Sequence, residues 1–517
     1  MSRYLVIGDP VVTLGAGATL VPDGALIIED DSVARVGPRA ELENDGPFDK
    51  VLGSAGHFVM PGFVNCHYHS ELAIGPGLYQ YIYERAHVYV GSALGPIAEQ
   101  DLYNAILWGL VTAIKGGQTG TVDMFYGRPS LTDFGCPVAL QAYQDAGLRT
   151  MFGLVCRDQN TIVHEEDEAF LRRLPPELAD EVRRSPMGIA WPLDRVFGTY
   201  RALLRDWHGR QGRIQIAAAP DWTPACSDEL YLRCHRLATE HGTGMLTHAV
   251  ETRSEAMFSM ERYGKPAVQR LAELGVLGPH AVLEHFVWVT DDEIGMFADS
   301  GAVASNNAGS NLRLSSGICR LRDIMAAGGR MAFGTDGISF SDREDFFQEL
   351  RLACYLQRIP RKFEEARLPS EDVLRAAARN GARAVGSEDR LGSLEPGRLA
   401  DLLVVRKDRI CYPPGRYDAE PFLDVILDRA ESGDIDAVMV NGQVLMDGGR
   451  VTVVDEDAVR ANFAESVERI YAPSPERQRW VELGREVEPV VLDFYRRWYE
   501  TPLSPAYVYN SRSLPRS

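Results

Sequence analysis

The chain changes its hydrophobic rhythm three times. Its first sixty residues alternate apolar and polar positions in short runs, RYLVIGDPVVTL, GALIIEDDSVARVG and HFVMPGFVNCH, broken by turn signals such as Asp23-Gly24. Period-two runs bounded by Gly, Pro and Asp predict strands, and no helical period interrupts them. Between about residues 60 and 385 the pattern becomes apolar runs alternating with amphipathic stretches, the mark of β/α units. Eight such runs stand at 63–67, 120–126, 150–156, 214–220, 244–250, 281–287, 302–307 and 331–337. Strand-like runs then return in GRLADLLVVRKDR and DIDAVMVNGQVLMDGGRV, the second with a Val-Asn-Gly-Gln hairpin signal. From about residue 455 the apolar positions of FAESVERIYA and WVELGREVEPVVLDFYRRWYE recur at helical spacing.

This order predicts an α/β protein. Residues 61–385 form a (β/α)8 TIM-like barrel, residues 1–60 and 386–454 together form a small β-sandwich, and residues 455–517 form a helical C-terminal extension. Eight β/α units suit a closed barrel, which takes roughly 250 residues or more. In such a barrel the C-terminal strand ends form the working face, so polar residues ending those runs matter most.

Composition narrows the classes of function. With 45% hydrophobic and 25% charged residues the chain is an ordinary globular one. Its 73 Asp and Glu outweigh 54 Lys and Arg, giving a formal charge of −19 that repels nucleic acid and anionic membranes. Eight cysteines without a C-x-x-C pair argue against a zinc ribbon or disulfide scaffold and suit reduced cytosol. The segment MSRYLVIGDPVVTLG reads as a strand rather than a secretion signal, and no run of about 18 apolar residues suggests a membrane span. A cytoplasmic address and small-molecule chemistry are the expectations.

The candidate chemistry lies at the strand ends. His67 and His69 are one residue apart at the end of the first barrel run. Side chains at i and i+2 of a strand share a face, so both imidazoles can reach one ion, although two polar surface residues would show the same spacing. His248 ends the fifth run, and Glu251 follows three residues later, where a carboxylate that is not a ligand can move protons. Alone, His248 is equally a ligand or a core histidine. His285 ends the sixth run, and Asp336 stands in FGTDG at the end of the eighth.

Taken together, V-M-P-G-F-V-N-C-H-Y-H, H-A-V-E-T-R-S-E, E-H-F-V-W-V-T-D-D-E-I, S-N-L-R-L-S-S-G-I, G-T-D-G and L-G-S-L-E-P-G-R-L-A-D-L-L-V-V resemble the amidohydrolase superfamily. The resemblance is to its branch of metal-dependent deaminases and triazine hydrolases, which includes the S-adenosylhomocysteine and methylthioadenosine deaminases. It runs in order over residues 1 to about 450. The resemblance implies that His67, His69, His248 and Asp336 hold one divalent metal, zinc ahead of iron or manganese. It also implies that Glu251 is the proton shuttle, that His285 hydrogen-bonds the attacked centre or the metal-bound water, and that Asp336 helps deprotonate that water. Many relatives hold two metals through a carboxylated lysine on the fourth strand, but none of this chain's five lysines lies in IQIAAAPDW, so one metal is expected. Relatives are commonly dimers or larger homo-oligomers.

Substrate contacts are sought on the loops above the barrel. The tyrosine-rich segment after the first strand offers Glu71, Tyr79 and Arg85; Arg157 and Trp222 follow the third and fourth runs, Trp288 the sixth, and Asn306 lies at the end of the seventh. The same tyrosines would serve equally for packing on the rim or against another subunit. His57, His164, His208, His235, His241 and His280 lie outside the motifs and are read as surface or structural. Several positions depart from the pattern of nucleoside deaminases: Trp288 replaces a second histidine, Ala219-Pro220-Asp221-Trp222 replaces a His-Ala-Pro segment, and Ser305-Asn306-Asn307 replaces His-Cys-Pro or His-Asn-Pro.

The expected function is therefore a metal-dependent hydrolase, foremost a hydrolytic deaminase of an amino-substituted, heteroaromatic small molecule. The same machinery could open a cyclic amide, attack a guanidine-like carbon, or remove a chloro or alkylamino group from a triazine. A reading of a different class is a barrel kept as a non-catalytic scaffold.

Overall fold

The computed structural model describes residues 2–17, 19–75, 82–85, 97–127, 134–185, 187, 192–341, 343–358, 367–412 and 419–501. Eight parallel strands follow one another in a single sheet: β1 (Phe63–Tyr68), β2 (Gln118–Phe125), β3 (Arg149–Cys156), β4 (Ile214–Pro220), β5 (Met245–Ala249), β6 (Ala281–His285), β7 (Val303–Asn306) and β8 (Arg330–Phe333). Val64, Cys66, Val122, Met151, Leu246, Val282, Val303 and Ala332 pack together as an apolar cluster of strand residues. Helices cover the outside, and Glu99–Lys115 shows why. Its Leu102, Ile106, Leu110 and Ile114 recur every four residues and are all buried.

The first and last strands meet through side chains. Asn65 donates to Thr335 Oγ1 at 2.7 Å and accepts from the Thr335 backbone N–H at 3.0 Å, while the Asp336 N–H donates to the His67 carbonyl at 2.9 Å. Gly334 makes this approach possible, because a Cβ there would lie 2.7 Å from His67 N and 2.6 Å from Asn307 Oδ1.

Several expected strands run past the observed ones at the C-terminal end: β5 stops at Ala249, β6 at His285 and β8 at Phe333. The cause is local. Val250, His285, Phe286 and Asp336 take positive φ values of 49°, 68°, 52° and 64°, which turn the chain out of the sheet. Such conformations in non-glycine residues cost about 1–3 kcal/mol each and gather at functional sites.

Two further sheets flank the barrel. One has four strands, Arg3–Gly8, Gly24–Glu29, Ser32–Pro38 and Lys50–Ser54. The other has seven and joins distant sequence: His57–Pro61 pairs antiparallel with Leu402–Arg406, beside Ile435–Val440 and Gln443–Asp447. Val6, Leu26 and Leu52 of the first sheet share a core with Val59, Leu402, Val404 and Met439 of the second. The Asn-Gly signal forms the hairpin between the last two strands, with Asn441 and Gly442 both at positive φ. Arg149, at the start of β3, ties the barrel to this region through Asp401, at 3.1 and 3.2 Å.

Two long helices end the described chain. Glu456–Ile470 lies along Glu99–Lys115, with Asn104 donating to Ser466 Oγ at 3.0 Å. Pro475–Glu500 packs Leu483, Val487, Val491, Phe494 and Trp498 against Phe170, Val182 and Phe258. Among the described residues no helix is long and apolar enough to cross a membrane.

Candidate active site

Five strand-end residues converge at the C-terminal mouth of the barrel. The His67 ring lies 4.7 Å from that of His69, 4.9 Å from His248 and 4.8 Å from His285. Asp336 Oδ1 is 3.1 Å from His67 Nε2 and 3.3 Å from His69 Nε2, and His69 Nε2 is 3.4 Å from His248 Nε2. His67, His69 and Asp336 form one group able to hold a cation; His67, His248 and His285 form another. Both nitrogens of His67 and Oδ1 of Asp336 are buried without a hydrogen-bond partner. Buried polar atoms rarely go unpaired, so a cluster of donors and acceptors in this state fits a cation. Three or more imidazoles with one carboxylate is also the chemistry that borderline metals such as zinc select.

The rings are held by their outer nitrogens. His69 Nδ1 donates to the Met124 carbonyl at 2.6 Å, His248 Nδ1 to the Asp221 carbonyl at 2.9 Å, and His285 Nδ1 to Asn311 Oδ1 at 2.9 Å. Each contact sets the tautomer with the lone pair on Nε2. Ser310 Oγ donates to Asp336 Oδ2 at 2.5 Å and so leaves Oδ1 toward His67 and His69.

Burial sets the protonation states. It pushes His67 and His285 well below the usual imidazole range, His67 with help from His248 and His285 with help from His67. His69 is driven down to about 3, by burial and then by His67. For His248 burial again lowers the value, but the hydrogen bond and charge of Asp221 outweigh it and the net direction is upward. The Glu251 carboxyl is pushed well above its ordinary value by burial, then by Asp336 and Glu255. Ser316 Oγ donates to Glu251 Oε1 at 3.2 Å, and Glu251 Oε2 lies 3.7 Å from His285 Nε2. A buried carboxyl raised in this way holds its proton more readily, and beside the cluster it can give that proton to a bound molecule.

The expected substrate residues fall into two sets. Arg157 and Trp222 border the mouth: Arg157 pairs with Asp221 at 2.7 Å and lies over the Tyr126 ring, and the Trp222 ring is 5.4 Å from Tyr83 and 4.7 Å from His164. Asn306 is buried at the end of β7. Three others are held by neighbouring groups. Glu71 accepts the Tyr126 backbone N–H at 3.0 Å, Arg85 pairs with Glu488 of the last long helix at 2.7 Å, and Trp288 donates its indole N–H to the Ser316 carbonyl. Tyr79 lies outside the described residues. His164, read from sequence as surface or structural, is 2% exposed, and its ring packs on Trp222, Phe258, Tyr495 and Trp498.

Sequence reading missed Asp221, Asn311, Glu84 and Glu284. Asp221 directly follows the end of β4 and could have been found by position. Glu84 accepts hydrogen bonds from Ser254 and Tyr499, and burial raises its pKa. Glu284 lies one residue before His285, its carboxylate 3.5 Å from His67 Nδ1.

The mouth of this barrel thus carries histidine and aspartate groups that could hold a metal. The chain belongs to the amidohydrolase family, whose model matches residues 58–445. It is 27% identical over 475 residues to a 5'-deoxyadenosine deaminase of Methanosarcina barkeri, covering 91% of this chain and 99% of that one. It is 27% identical over 463 residues to a 5-methylthioadenosine/S-adenosylhomocysteine deaminase of Syntrophobacter fumaroxidans, covering 88% and 95%. Among solved structures it superposes on a zinc-bound adenosine deaminase from Xanthomonas campestris, with a TM-score of 0.78, 23% identity, and 91% and 99% of the two chains covered. It also superposes on a triazine hydrolase from Arthobacter aurescens, at 0.77 and 23%, with 90% and 100% covered.

Proposed function

We propose that the chain is a hydrolytic deaminase that removes an amino group from a heteroaromatic ring, with His67, His69, His248 and Asp336 holding one divalent metal, preferably zinc. The observation that carries this reading is the buried Glu251 carboxyl, raised in pKa and facing the imidazole cluster from the side of His285. Zinc bound there would lower the pKa of a coordinated water from 15.7 toward ~7 and so supply a nucleophile at neutral pH.

The chain's own groups do the rest. Asp336, with Oδ1 free of hydrogen bonds, takes a proton from the attacking water. Glu251 gives its proton to the ring nitrogen next to the attacked carbon, then takes the remaining proton of the added hydroxyl and passes it to the amino group, which leaves as ammonia. His285, fixed by Asn311, turns its Nε2 lone pair to accept a hydrogen bond from the attacking water. Tyr83, Trp222 and His164, with ring planes tilted by 51° and 71° about Trp222, offer an aromatic wall for the ring, and Arg157 with Tyr126 supplies polar contact. The deaminase relatives support an adenosine-like ring. The triazine hydrolase neighbour supports a second reading, in which the same groups displace a chloro or alkylamino substituent.

Ammonia release from the zinc-loaded chain, measured over adenine nucleosides, aminopterins, guanine and aminotriazines, tests the proposal. Ammonia is expected from at least one amino-substituted ring, with the adenine nucleosides first. Chloride or alkylamine release with no ammonia from any ring would replace the first reading with the second.

A further inference from the structure

Glu284 is a carboxylate where the fold calls for an apolar side chain. Alternate residues of a strand face the same way, so Glu284 points with Val282, which packs against Val64, Cys66, Val122 and Leu246. Its side chain is fully enclosed, and neither carboxylate oxygen has a hydrogen-bond partner. Burying a carboxyl in this way opposes folding, and a leucine or methionine would fill the position without that penalty. His67 Nδ1 lies 3.5 Å from Glu284 Oε2.

The rest of the site explains what the group does there. His69, His248 and His285 each commit Nδ1 to an oxygen, those of Met124, Asp221 and Asn311, at 2.6 to 2.9 Å. His67 alone of the four lacks such a bond: both of its nitrogens are buried and unpartnered. Glu284 is the oxygen that faces its Nδ1, while Nε2 faces Asp336 Oδ1 at 3.1 Å. The separation of 3.5 Å is longer than a relaxed hydrogen bond, and a small rotation of either side chain closes it.

We propose that Glu284 is the positioning residue of His67: it accepts the Nδ1–H, fixes the neutral tautomer with the lone pair on Nε2, and raises the affinity of the site for its metal. This rests on the reading of His67 as a metal ligand given above. An oxygen of either the carboxylate or the carboxylic acid can accept that hydrogen bond, so the role does not depend on the charge of Glu284. Among the four imidazoles, His67 is then the one supported by a side-chain carboxyl rather than a carbonyl or amide oxygen.

The test uses the full chain as wild type, Glu284→Leu and Glu284→Gln. Zinc affinity is measured by competition with a chromogenic chelator, the visible spectrum is recorded after cobalt substitution, and the melting temperature is measured on the metal-free proteins. Outer partners of ligating histidines typically change metal affinity by about 10–100-fold. Glu284→Leu should weaken zinc by that factor and alter the cobalt spectrum, yet melt higher than wild type without metal, because an unpaired buried carboxyl is gone. Glu284→Gln should stay within about threefold of wild type in zinc affinity, since its amide oxygen still accepts the Nδ1–H. A purely structural role for Glu284 predicts the reverse: a less stable Leu variant that binds zinc as wild type does. Wild-type affinity in Glu284→Leu, or equal loss in both variants, overturns the inference while leaving the metal site in place. A wild-type chain that binds no zinc overturns the metal site and this inference together.

Discussion

Arg149 and Glu251 stand at opposite ends of the same barrel, and their surroundings differ in one respect. At the N-terminal end, Arg149 is 3% exposed and fully paired: it bonds both oxygens of Asp401, the Gly212 carbonyl at 2.8 Å and Asn441 Oδ1 at 3.4 Å. Asp401 also accepts the Asn441 N–H at 2.7 Å. At the C-terminal end, His67, Glu251, Glu284 and Asp336 are as deeply buried, yet each has at least one polar atom with no partner. Both assemblies take charged or polar groups out of water. The first is complete without a ligand and fastens the barrel to its neighbouring sheet; the second leaves Asp336 Oδ1 and Glu251 Oε2 open to something that binds. Residue type and burial do not separate the two; the unpaired atoms do.

The largest effect should follow from Glu251→Gln. If the unpaired end exists for chemistry, this change should lower kcat by about 10²–10⁴-fold, the range that general acid–base groups supply, while zinc content by elemental analysis stays at the wild-type level. Loss of zinc along with turnover would show that Glu251 is a ligand instead. Arg149→Leu should do the converse at the paired end. Removing one partner of a buried ion pair typically costs about 3–5 kcal/mol of stability, read here from chemical denaturation, and zinc content in the folded fraction should be unchanged.

The smallest effect tests an intermediate case. Glu344 is buried near the last barrel strand and is partnered at one oxygen only: Oε2 accepts from Thr335 Oγ1 at 2.6 Å and Gln118 Nε2 at 2.8 Å, while Oε1 has no partner. Burial nevertheless lifts its pKa from 4.5 to about 7. A carboxyl raised in this way favours the folded chain while protonated, and that contribution is lost as pH climbs through about 7. Glu344→Gln should therefore melt closer to wild type at pH 5 and gain on it at pH 8, by roughly 1–2 °C. An equal difference at both pH values would mean that the pairing, not the burial, governs Glu344.

Much of this was legible in the residues. The eight apolar runs located every barrel strand, because alternating β/α segments leave a strong pattern, and His67, His69, His248, His285 and Asp336 stood out as polar residues at strand ends. The exact strand ends were not legible, since left-handed backbone at Val250, His285 and Asp336 is imposed by the site rather than by local preference. Nor were the groups that hold the outer nitrogens. Asn311 and Glu284 act through the direction of a ring, which spacing does not encode. Arg85 looked like a substrate contact because its partner, Glu488, is about four hundred residues away on a helix whose packing the pattern could not place.

That helix has a consequence of its own. The family model ends at residue 445, but Tyr495 and Trp498 of Pro475–Glu500 press on His164, which in turn touches Trp222 at the mouth. The aromatic side of the proposed site is thus buttressed by a helix that lies outside the segment matched by the family model. Changes in that helix can reshape the room available to a guest molecule while the reactive floor keeps its geometry, so preference and reactivity can evolve as separate traits.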